Sequence, residues 1–152
     1  MKVLMVCLGN ICRSPMAEGI LQHKIDSAGF DVEIDSCGTG GWHVGESPDR
    51  RAQATMISKG MDISQLRARQ FSKTDFSHFD LIYVMDESNY NDVVGLANNE
   101  KQKSRVRLIL NESNPNSNMP VPDPYYGGES GFENVFRLLD DACDVIISRL
   151  SE

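Results

Sequence analysis

The segment Cys7-Leu8-Gly9-Asn10-Ile11-Cys12-Arg13-Ser14 places a soft nucleophile and an anion clamp within one short loop. Five residues separate Cys7 from Arg13. That length can curl the backbone around one tetrahedral anion, with the amides of Leu8 through Ser14 turned inward. Gly9 and Asn10 are residue types that tolerate left-handed angles, which such a curl requires. The planar fork of Arg13 matches two phosphate oxygens as a lysine could not. A cysteine beside a helix N-terminus and an arginine is favoured as the thiolate. Ser14 is placed to hydrogen-bond that sulfur. Two other readings compete: a buried structural cysteine in an ordinary strand-to-helix turn, and half of a metal site built from Cys7 and Cys12. No second Cys or His pair stands at useful spacing for the metal, so none is expected. An apolar run before the loop and Ser14-Pro15 after it favour the nucleophile.

Displacing an alkoxide or phenolate from phosphorus calls for an acid. Asp123, in Val121-Pro122-Asp123-Pro124-Tyr125-Tyr126-Gly127-Gly128, is the candidate, because the flanking prolines restrict its backbone and a nearby anion favours its protonated form. Once the leaving group has gone, the same carboxylate can activate water against the thiophosphate.

These residues need elements to position them. Val3–Cys7 reads as a buried strand. Ser14-Pro15 reads as a capped helix start, with apolar residues at helical spacing until Gly29. Val32–Asp35 alternates like a strand, and a loop over 36–42 follows. Ser47-Pro48 suggests a second helix running toward Gly60, Ser72–Asp75 a capped turn, and Arg67 to Arg69 a basic patch. Leu81–Met85 and Val106–Leu110 are further strand candidates, with a helix from Asp86 between them. The longest irregular stretch, 111–128, holds Asp123. A last helix carries Phe132, Val135, Phe136, Leu139, Cys143, Ile146, Ile147 and Leu150 on one face. The expected fold is α/β: a single domain over 1–152, with a four-stranded parallel sheet, helices on both faces, and the phosphate-binding loop between the first strand and first helix.

The formal net charge of -7 argues against nucleic acid as a partner. No stretch is long and apolar enough for membrane insertion. The N-terminal run is too short for a signal peptide, and four cysteines in a chain able to build its own core read as free thiols, so a cytoplasmic location is expected. Cys12 has two readings: a thiol that oxidation joins reversibly to Cys7, and a merely packed thiol.

The chain closely resembles the low-molecular-weight protein tyrosine phosphatases over nearly its whole length. The resemblance rests on Val6-Cys7-Leu8-Gly9-Asn10-Ile11-Cys12-Arg13-Ser14-Pro15 and on Asp123-Pro124-Tyr125-Tyr126-Gly127. It implies Cys7 as nucleophile, Arg13 as phosphate clamp and Asp123 as general acid, acting on a phosphotyrosine-containing protein or peptide without a cofactor. It further implies that Asn10, Ser36 and Asp86 brace the loop, and that Trp42, Tyr125 and Tyr126 form a rim around the substrate ring. Many members carry a histidine in the bracing network where this chain has Leu66. His23, His43 and His78 match no motif and read as surface or loop residues. Two other activities occur on the same fold. Arsenate reduction needs further cysteines in a later loop, and none lies between Cys37 and Cys143. Phosphoarginine hydrolysis is associated in this resemblance with threonine at the position of Ile11. The oligomeric state is not readable.

Overall fold

The computed structural model describes residues 1–151. The chain runs β1 (Lys2–Cys7), α1 (Arg13–Ala28), β2 (Glu33–Gly38), α2 (Arg50–Ser58), α3 (Asp75–His78), β3 (Leu81–Val84), α4 (Glu87–Val94), α5 (Glu100–Ser104), β4 (Val106–Leu108) and α6 (Glu129–Leu150), with a 3-10 turn at Ile109–Asn111 before the long connection. The four strands are parallel, in the order β2-β1-β3-β4. β1 is an interior strand, and Val3 through Val6 are wholly buried, as a strand covered on both faces must be.

Alternation along β1 divides the core between two layers. Val3, Met5 and Cys7 face a cluster that includes Met16, Ile20 and Leu21 of α1, Met56 of α2 and Phe132 through Ile146 of α6. Leu4 and Val6 face the other way, against Phe76 of α3, Val84 of β3 and Val93 of α4. Among the described residues no helix is long and apolar enough to cross a membrane.

Several boundaries differ from the sequence expectation, each for a tertiary reason. β2 continues through Ser36, Cys37 and Gly38, because the parallel register pairs Val6 with Cys37 and Cys7 with Gly38. These residues are strand, not loop. A Cβ on Gly38 would lie 2.7 Å from the Leu8 carbonyl oxygen and 3.1 Å from the Asn10 amide, so only glycine lets the Cys7 loop pack against the end of β2. α1 begins at Arg13 with Cys12 at the capping position and no side-chain cap; the Ser14 hydroxyl is used elsewhere. Its C-terminus is as expected, with Gly29 left-handed at φ 73°. α2 is capped by Asp49, whose carboxylate accepts from the Arg51 amide. Asp86 caps α4 in the same way, accepting from Asn89. Arg69 is not part of a free basic patch, since its guanidinium pairs with Asp35 and Asp75.

Candidate active site

The loop from Leu8 to Cys12 leaves the C-terminal end of β1 and enters the N-terminus of α1, the end of a parallel sheet at which ligands bind. Backbone hydrogen bonds hold its start: the Thr39 amide donates to Cys7 O and the Gly40 amide to Leu8 O, both at 2.9 Å. Asn10 takes the left-handed turn at φ 58°, while Gly9 does not.

Asn10 is 2% exposed and uses its whole amide. Its Nδ2 donates to Ser14 Oγ at 2.8 Å and to Ser36 Oγ at 3.0 Å, and its Oδ1 accepts from the Arg69 amide at 3.1 Å. With Asn10 donating to it, the Ser14 hydroxyl has one proton to give, and it lies 3.0 Å from the Cys7 sulfur and 3.3 Å from the Cys37 carbonyl oxygen. The Asn10 amide also points at that sulfur, at 3.3 Å. The Asn10 amide and the Ser14 hydroxyl thus both meet the Cys7 sulfur from inside the loop. The Ser36 hydroxyl passes the chain on by donating to Glu18 at 2.6 Å. Leu66, in contrast, packs against the core and offers no polar atom. The bracing network ends on a carboxyl group of α1.

Arg13 is 3% exposed, and its guanidinium is held from one side. Nη1 donates to Asp86 Oδ2 at 2.7 Å and to the Val121 carbonyl at 3.0 Å. Nη2 lies 3.8 Å from Asp123 Oδ2. Burial by itself disfavours the charged guanidinium. Cys7, Asp86 and Asp123 outweigh it, and Arg13 is held above its ordinary range. Cys12 sits beside Cys7 in the same loop and is also buried. Burial first, then Asp49 and Cys7, push its thiol far up, so it stays protonated. All four cysteines are free thiols.

The loop floors a cavity of about 300 Å³. Cys7, Ile11 and Arg13 line its base; Asp123, Tyr125 and Tyr126 line one wall, and Trp42 another. The sequence-derived nucleophile, clamp, acid and rim thus meet in one place. Asn10, Ser14, Ser36 and Asp86 stand behind the loop. The rim is open, with Trp42 72% and Tyr126 93% exposed. His43 is a loop residue, as expected, and it also lines this cavity. Its ring packs over Gly9, and its Nδ1 lies 3.0 Å from Glu46 Oε2. No spacing rule points to it, because the contact is made across a loop. His23 and His78 stay away from the site.

A family model described as low molecular weight phosphotyrosine protein phosphatase matches residues 2–152. A Schizosaccharomyces pombe protein named low molecular weight phosphotyrosine protein phosphatase is 41% identical over 143 residues, spanning 92% of this chain and 90% of its own. Among solved structures, a protein tyrosine phosphatase of Entamoeba histolytica with Hepes in the active site aligns with a TM-score of 0.93 at 37% identity, over 99% of this chain and 97% of that one. A Drosophila arginine phosphatase aligns with a TM-score of 0.92 at 31% identity, over 100% and 99% of the two chains.

Proposed function

This chain belongs to the low molecular weight protein tyrosine phosphatases, and we propose that it hydrolyses phosphotyrosine through a phosphocysteine on Cys7, with Asp123 as acid and then base. The observation that carries the reading is the convergence of Cys7, Arg13 and Asp123 on one cavity at the mouth of the loop.

In the first step Cys7 Sγ attacks phosphorus in line with the ester oxygen. The S–P bond forms, the P–O bond breaks, and Asp123 gives its proton to the departing phenolate. The loop amides and Arg13 hold the three equatorial oxygens, whose charge is largest in the transition state. In the second step Asp123 takes a proton from water, which attacks phosphorus and releases the thiolate. The Ser14 hydroxyl stabilises that leaving sulfur. The positive charge comes from Arg13 and oriented amides, so the reaction needs no metal.

Depth favours an aryl ester: the sulfur is at the base and the aromatic side chains are at the rim, so a ring spans the interval that a short phosphoserine cannot. The substrate is thus a phosphotyrosine-containing protein or peptide. A nucleophilic thiol suits a reducing compartment, and the cytoplasm is the proposed location. The fold likeness to an arginine phosphatase makes phosphoarginine the second reading, and Ile11 in the cavity lining opposes it. Turnover of phosphotyrosine, phosphoserine and phosphoarginine peptides, in the presence of a chelator, tests both. Preference for phosphotyrosine is expected. Preference for phosphoarginine, or loss of activity to the chelator, would overturn the reading.

A further inference from the structure

We propose that Arg51, on α2 and outside the cavity, is a positioning residue that sets the acid-bearing loop at its working distance from the nucleophile loop. The proposal rests on Asp123 being the general acid.

Asp123 lies in an irregular segment in which, over 119–128, Val121 and Pro124 are the buried residues and the others are exposed. Upstream, that segment is fixed at Val121, whose amide donates to Met85 O at 2.8 Å and whose carbonyl accepts from Arg13. Downstream, Tyr125 and Tyr126 are exposed and supply no anchoring core. Among the described residues, the hydrogen bonds from 122–127 to other elements are both made by Arg51, while Gly128 O already accepts from the Gly131 amide of α6 at 3.0 Å. Its Nη2 donates to Tyr125 O at 2.9 Å and its Nη1 to Gly127 O at 3.3 Å. The same guanidinium stacks over the Phe132 ring at 4.8 Å and lies 5.6 Å from the Tyr125 ring.

The other end of the strut is the nucleophile loop. Arg51 Nε and Nη2 form a fork on the two carboxylate oxygens of Asp49, each at 3.1 Å. The Asp49 amide in turn donates to the Ile11 carbonyl at 2.8 Å. A continuous path thus runs from the Cys7 loop through Asp49 and Arg51 to the backbone two residues past Asp123. The Arg51 side chain is 38% exposed, so the fold tolerates its replacement. A lysine keeps the charge but cannot hold Asp49 in a fork and reach two carbonyls at once.

A misplaced acid has a kinetic signature that general loss of structure lacks. The first step then depends on the leaving group's own acidity. Arg51→Met, Arg51→Lys and Asp49→Asn would be compared with Asp123→Asn across a series of aryl phosphates; Asn retains the α2 cap at position 49. For Arg51→Met the expected kcat/KM loss is roughly tenfold to a hundredfold on phenyl phosphate and only about threefold or less on a strongly activated ester. Asp49→Asn and Arg51→Lys should fall between Arg51→Met and the parent enzyme. A leaving-group slope unchanged in both Arg51→Met and Asp49→Asn, beside a steep slope in Asp123→Asn, would overturn the strut alone. A flat slope in Asp123→Asn would overturn the acid assignment and the strut with it.

Discussion

Replacing Glu18 with Gln should remove a pH dependence of stability that the bracing network builds in. The Glu18 carboxyl is pushed up from 4.5 to about 7. Burial is the chief cause. The Ser36 hydrogen bond opposes it, Asp35 adds repulsion, and Arg69 attracts. The change amounts to about 3 kcal/mol, taken as a ceiling because water reaches part of the side chain. The sign follows from linkage. The folded protein holds this proton more tightly than the unfolded chain, so the stabilisation is complete below about 4.5 and is lost as pH rises through about 7. Urea denaturation of parent and Glu18→Gln proteins from pH 5 to 8 reads it directly. The two should agree within about 1 kcal/mol at pH 5, and the glutamine variant should become the more stable by about 1–3 kcal/mol at pH 8. Parallel stability curves would refute the assignment of a neutral buried carboxyl at the end of the Asn10–Ser36 relay.

Two further substitutions separate the clamp from the rim. Arg13→Lys keeps the charge and loses the fork held by Asp86 and Val121; kcat/KM on aryl phosphates should drop about a hundredfold or more. Near-parental activity would show that a point charge suffices. In Gly40→Ala the new Cβ would meet the Trp42 ring at 2.0 Å, and because that ring is exposed it can swing away. Thermal stability should change little, by about 0.5 kcal/mol or less, while KM for a phosphotyrosine peptide rises and kcat is kept. An unaltered KM would remove Trp42 from the substrate rim.

The geometry of the Cys7 loop was legible because the cysteine, turn residues, arginine and helix start are contiguous, and local geometry follows from local sequence. Asp123 stood out through its prolines. The strand–helix alternation and the apolar face of α6 likewise announced the parallel sheet and its covering. Contacts closed by tertiary structure left little trace. Gly38 looked like loop composition, yet it is glycine because the nucleophile loop packs on it at the end of β2. Ser14 had the chemistry of a helix cap, but its hydroxyl is drawn to Cys7 and Asn10. α5 buries none of its residues, so it carries no hydrophobic period to read. Glu18 and His43 matter through partners 18 and 34 residues away in the chain, and Arg51 through partners 74 and 76 away, and no spacing rule reaches that far.

The central claim is covalent, and the most direct measurement looks for the covalent bond. The Asp123→Ala protein, slow to hydrolyse its intermediate, would be mixed with an activated aryl phosphate, quenched in acid and digested for mass spectrometry. The account predicts one phosphoryl group on the peptide containing Cys7, and none after Cys7→Ser. A phosphoryl group on another residue, or turnover that persists in Cys7→Ser, would contradict it.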